Sequence, residues 1–144
     1  MAYEALLQLA DILEANANNE HGAKFDLCTI GTFDPSEIAP AMNCGTTACG
    51  MGIAALSGAF PRLGYTIKRF DDEAQIHCTI DGDECGYLGA AMTVFGLNVH
   101  EARILFDPQY SSRPNEGREG ELALVSDIRT LVERKRARQH YINE

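Results

Sequence analysis

The sequence predicts an α+β domain, mainly helical, built on a central buried helix and one β-hairpin. Three observations lead there. Apolar residues recur at helical spacing over 3–17 and 121–138, an uncharged apolar run fills 48–60, and two short β-rich runs over 65–70 and 74–80 flank an acidic turn.

In the first helix, Tyr3, Leu6, Leu7, Ala10, Leu13 and Ala17 share a face, and "NANNEHG" at 16–22 ends it. The stretch 23–43 carries Pro35 and Pro40 and reads as irregular, anchored by Phe25, Leu27, Ile30 and Phe33. Thr46 or Thr47 is placed to cap the central helix, in which Cys49, Ile53, Leu56 and Phe60 form a stripe. Gly50, Gly52 and Gly58 would each weaken an exposed helix by about 1 kcal/mol, so their presence implies that neighbouring backbones come very close.

In the second hairpin strand Ile76, Cys78 and Ile80 face inward while Gln75, His77 and Thr79 face the other way. A further apolar helix over 87–97 ends at Gly96. Asn98 and Glu101 then form a capping box for "VHEARILF", which Pro108 stops. Residues 109–120 read as a flexible polar loop and 121–144 as the C-terminal helix, with Leu122, Val125, Ile128, Leu131 and Val132 inward. No repeat and no second domain is visible, so 1–144 is expected to be a single domain.

Charge is unevenly spread. Residues 1–112 hold 5 Lys/Arg against 15 Asp/Glu, a balance of −10, whereas 113–144 hold 7 against 6, a balance of +1. An acidic body repels phosphate backbones, which argues against direct nucleic-acid binding and suits a basic protein partner, although solubility alone also accounts for it. No apolar run reaches the roughly 20 residues of a membrane span, and the N-terminus has no signal-peptide pattern. Five cysteines, an odd number, fit a reducing cytoplasm better than a disulfide framework. Oligomeric state is not legible.

The stretch "NCGTTACGMGIAALSGAF" at 43–60 invites a reactive reading. Cys49 near a helix N-terminus would gain thiolate character, and Cys44 lies close by, so either is a candidate nucleophile. None of His21, His77, His100 or His140 has a recognisable partner pattern, and a cysteine enzyme needs a base. Cys44, Cys49, Cys78 and Cys85 are candidate zinc ligands, yet only the first pair has spacing at the edge of the zinc range. A phosphate at the Gly-Thr-Thr turn lacks the lysine of a P-loop, and Asp81 with Asp83 lacks the closing glutamate of a calcium loop. Cys49 reads better as a small core residue, and no cofactor is expected.

Two motifs carry a resemblance. "CGTTACGMG" at 44–52 has the form C-G-T-x-x-C-x-x-G, and "GLNVHEARILF" at 96–106 has the form G-L-x-x-x-x-A-x-x-L-F. With Phe25-Asp26-Leu27 between them and the leucine-rich first helix, the chain resembles an uncharacterised family of small bacterial and phage proteins over residues 3 to about 108. That family carries Trp-Ala after the last glycine, where this chain has Ile53-Ala54. The resemblance implies a phage or mobile-element setting and brings no catalytic residue with it.

The expected activity is therefore binding: inhibition of a host protein with a basic nucleic-acid-binding groove, in an anti-CRISPR-like manner. The expected contact residues are Asp71, Asp72, Glu73, Asp81, Asp83 and Glu84, at the two ends of the second hairpin strand, provided those ends come near one another.

Overall fold

In the computed structural model, described over residues 2–143 except Cys44, Ser111 and Ser112 and without the side chains of Ala2 and 139–143, helices and strands interleave. Helix α1 (Ala2–Ala17) leads into strands β1 (Lys24–Phe25), β2 (Gly31–Phe33) and β3 (Thr46–Ala48). Helix α2 (Gly50–Ser57) then precedes β4 (Leu63–Arg69), β5 (Ala74–Ile80) and β6 (Asp83–Glu84). Helices α3 (Tyr87–Phe95), α4 (Val99–Phe106) and α5 (Gly117–Asn143) close the chain.

The fold is α+β as predicted, and its sheet is larger than one hairpin. Its order is β1-β3-β2-β5-β4, with β6 also on β5, and every pairing is antiparallel except β1 with β3. The stretch 23–43, expected to be irregular, supplies β1 and β2. Strands of two and three residues are too short to show a period of two, and both prolines fall in the loop after β2. The hairpin itself forms as predicted, with Tyr65 opposite Cys78, and Ile76 and Cys78 buried. Outside it, β4 is a free edge carrying exposed Thr66, Lys68 and Arg69.

The central helix is shorter than 48–60, and its start is different. Thr46–Ala48 pairs with β2 (Thr46 opposite Phe33, Ala48 opposite Gly31), so neither threonine is the cap. Cys49 takes that place, with φ −79° and ψ 179°, and its Sγ accepts from the Gly52 N–H at 3.4 Å. The expected glycine crowding has three separate causes. A Cβ on Gly52 would collide with the Ile30 carbonyl oxygen, a true backbone approach. One on Gly50 would stand 2.9 Å from the Leu124 side chain and 3.2 Å from Phe106. Gly58 has open space around it and is present for its left-handed φ of 69°, which ends the helix. Phe60 lies beyond the helix yet stays in the core, edge-on to Phe95 at 5.2 Å.

Gly96 ends α3 at φ 64°, and the predicted capping box starts α4: the Glu101 N–H donates to Asn98 Oδ1 at 2.8 Å, and the Asn98 N–H to Glu101 Oε1 at 3.0 Å. The loop expected over 109–120 is shorter, because α5 begins at Gly117. Arg113 ties it down by donating to the carbonyls of Ile104 and Leu105 at the end of α4 and to Asp127 of α5 at 2.7 Å.

The first and last helices pack on each other. Leu6, Leu9, Ala10 and Leu13 of α1 are fully buried, as are Leu124, Val125, Ile128 and Val132 of α5, while Leu122 and Leu131 are only partly so. Arg129 spans the pair, reaching Asp11 at 3.0 Å and Glu14 at 2.9 Å. At the end of α1, Asn16 acts as a buckle. Its Oδ1 accepts from the Ala23 N–H, and its Nδ2 donates both to the Ala23 carbonyl and to Glu121 Oε2, each at 2.9 Å. Glu121 is 2% exposed, and burial pushes its carboxyl up to about 7. Among the described residues no helix is long and apolar enough to cross a membrane.

Gly52→Ala is expected to cost about 3 kcal/mol or prevent folding, since the obstacle is backbone. Gly89→Ala, in α3 with nothing near its Cβ position, should add about 0.5–1 kcal/mol; urea unfolding of both variants checks the contrast. Glu121 supplies a second expectation. Its folded-state value of about 7 lies above its ordinary 4.5, so the folded protein holds a proton that the unfolded chain releases. Stability from this group is lost as pH rises from about 4.5 to about 7, by about 3 kcal/mol in all. Glu121→Gln should remove that decline, gaining most above pH ~7 in thermal unfolding measured across the window.

Candidate functional site

The cysteines of the opening motif are built into the interior. Cys49 is 2% exposed, held by its own N–H to the Thr29 carbonyl at 2.8 Å. Burial pushes its thiol up to about 11, outweighing the pull of the Gly52 and Met51 N–H groups. The expectation of a thiolate at the helix N-terminus is therefore corrected: desolvation of a fully enclosed sulfur exceeds what a short helix end offers. Cys78 is fully buried and is pushed up to about 12, by burial first and then by nearby Cys49 and Cys85. Cys85 is half-buried and also raised by burial.

No base accompanies these thiols among the described residues. A recess of about 70 Å³ beside Cys49 is lined by Cys28, Tyr87 and Pro108, without a histidine. His77 sits on the hairpin near Gln75 and Glu84, at 3.4 and 3.7 Å, while His21 and His100 are exposed. No three described His, Cys, Asp or Glu side chains converge on a position for a metal ion. Cys44, the remaining candidate nucleophile and ligand, lies outside the described residues.

The acidic hairpin residues separate into two groups. Asp71, Asp72 and Glu73 form the β4–β5 turn; Asp81, Asp83 and Glu84 lie at the β5–β6 turn, where Asp81 and Gly82 both have positive φ (53° and 88°). Seven residues of β5 keep them roughly 20 Å apart, at about 3.3 Å per residue, so they do not make one patch. The second group is also partly neutralised. Arg62 donates to the Asp81 carboxylate at 2.8–3.2 Å, and Lys68 reaches Glu84 at 2.7 Å, holding both carboxyls below their ordinary values. Such half-exposed pairs add little stability but do cancel local field.

A different grouping forms around the first turn. Phe33 of β2 lies opposite Ala74, which brings the loop following β2 to the same end of the sheet as Asp71, Asp72 and Glu73. Asp34 caps its own turn, accepting from the Ser36 N–H and Oγ at 2.9 and 2.8 Å, which lowers its carboxyl. Arg69 then braces the loop. Its guanidinium lies 5.7 Å from the Phe33 ring centroid and donates to the carbonyls of Pro35, Glu37 and Ile38. The braced loop presents Ile38, 89% exposed, and the adjoining turn presents Phe70, 52% exposed.

Two exposed apolar side chains thus share one end of the sheet with Asp34, Glu37, Asp71, Asp72 and Glu73. Arg69, placed among them, spends its donors on backbone carbonyls. A recess of about 170 Å³ lined by Phe33, Asp34, Glu37, Pro40 and Asn43 adjoins them. The sequence reading missed Asp34, Glu37 and Ile38 because only the β2–β5 pairing brings them beside the turn.

Folded protein treated with iodoacetamide near neutral pH should be modified at exposed Cys28 and spared at Cys49 and Cys78, which react only after unfolding; peptide mass mapping reads the pattern. Fast labelling of Cys49 in the folded state would contradict its enclosure.

No family model, no curated protein and no solved structure matches this chain.

Proposed function

We propose that this chain is a phage or mobile-element accessory protein that binds and inhibits a host protein through the acidic, apolar-tipped end of its sheet. The intended partner is a defence or nucleic-acid-handling complex whose basic groove normally takes a phosphate backbone, met in the host cytoplasm. One observation carries the reading: Ile38, on a loop held in shape by Arg69, and Phe70, on the adjoining turn, stand exposed among carboxylates. A protein interface is anchored by a few apolar side chains in a polar rim, and a negative rim steers association with a positive groove. A loop already fixed by its own hydrogen bonds loses little freedom on docking. The balance of −10 over residues 1–112 adds a long-range field of the right sign. The phage setting rests on the two motifs at 44–52 and 96–106.

Immobilised chain should capture from nuclease-treated bacterial lysate a nucleic-acid-binding protein that DNA or heparin displaces. With that partner purified, Asp71→Lys/Asp72→Lys and Ile38→Ser/Phe70→Ser are each expected to weaken binding at least tenfold, the charge pair more strongly at low salt. Asp83→Lys, at the other end of the hairpin, should change it by less than about twofold. Unaltered binding by both double variants would overturn the assignment of this surface.

A further inference from the structure

A second region stands apart from that surface. The end of α1, the turn leading to β1, β1 itself and the start of α5 line an open cleft of about 690 Å³. Glu121 lines it, although the residue is 2% exposed. One carboxyl oxygen accepts from Asn16, and no other side-chain hydrogen bond to Glu121 is present among the described residues. Asn16 cannot turn to donate a second, because both ends of its amide are committed to the Ala23 backbone.

The cleft carries Glu20, Asp26 and Glu116 as well, against Lys24 and Arg118. Arg118 already donates to Asn18 at 2.8 Å. With Glu121 ionised the lining counts four carboxylates and two cations, so the cavity favours a positive guest. A buckle alone needs no acid, since a glutamine would accept from Asn16 equally well. What a carboxylate adds is an oxygen able to pair with a charged donor inside a low-dielectric pocket.

We propose that this cleft binds a small organic cation, with Glu121 receiving its ammonium or guanidinium group and Asp26 and Glu116 flanking the mouth. A cavity of this size accommodates a molecule of amino-acid to nucleoside dimensions. The bound cation supplies a charged partner for the carboxyl and holds Glu121 ionised. Binding therefore releases the proton that the empty, buried carboxyl retains near neutral pH. Glu20, Asp26, Glu116, Lys24 and Arg118 are the charged groups that line the cleft with Glu121, whose own carboxyl is set by burial, which outweighs the opposing hydrogen bond from Asn16.

Titration calorimetry with agmatine, which carries both groups, tests the site on the intact chain. The expected result is saturable binding, with a heat that depends at pH ~6.5 on the ionisation enthalpy of the buffer and loses that dependence by pH ~9. Glu121→Gln should abolish binding while staying folded by circular dichroism. Should that variant not fold, Asp26→Asn and Glu116→Gln at the mouth carry the test, each expected to weaken binding by about threefold to tenfold. Absence of saturable heat at millimolar agmatine, or undiminished binding by Glu121→Gln or by both mouth variants, overturns the proposal.

Discussion

The structure depends on one close approach. Gly52 in the first turn of α2 lies against the Ile30 carbonyl with no room for a side chain between them. The same contact zone holds the Cys49 N–H to Thr29 and the pairing of Gly31 with Ala48. If a methyl group separated those backbones, β2 and β3 would not pair at this distance from α2. The helix would lift from the sheet, and Met51, Ile53 and Ala54, all but inaccessible to water, would lose their enclosure. The uncharged character of the helix follows from the same constraint, because an element pressed against a sheet on one side and against α1 and α3 on others leaves no face to water over Gly50–Ala55.

How far this could be read from residues depended on range. Signals carried by a regular period or a tight turn were legible: the stripe of α1, the hairpin register that buries Cys78, and the Asn98–Glu101 box. What pairing over distance decides was not. Thr46 and Thr47 have good capping chemistry and good strand chemistry, and the presence of Lys24–Phe25 on one side and Gly31–Phe33 on the other makes them a strand. The cap then falls to Cys49, a residue type rarely expected there. The candidate surface shows the same boundary. Asp71 and Asp72 stood out in the sequence, whereas Asp34, Glu37 and Ile38 join them through β2–β5 pairing and the reach of Arg69.

Acidity also changes meaning once placed. Asp81 faces Arg62, Glu84 faces Lys68, Glu101 faces Lys135, and Glu14 shares Arg129 with Asp11. These pairs draw the positive charges toward particular acids, so the net excess collects where acids outnumber the cations beside them. The end of the sheet is one such place and the cleft beside Glu121 another. In the first, carboxylates surround exposed carbon and face water; in the second, a carboxyl is withdrawn from it.

The pairing of α1 with α5 has a consequence in time. A ribosome releases Leu6, Leu9 and Leu13 more than a hundred residues before Leu124, Val125, Ile128 and Val132. At about 5–20 residues per second, the first helix waits several seconds before the surface that covers it exists. During that interval only α2 and α3, which pack on α1 in part, can cover its apolar stripe. The long closure between the two ends also delays folding after release. Synthesis therefore passes through a stage in which α1 exists without the helix that completes its cover.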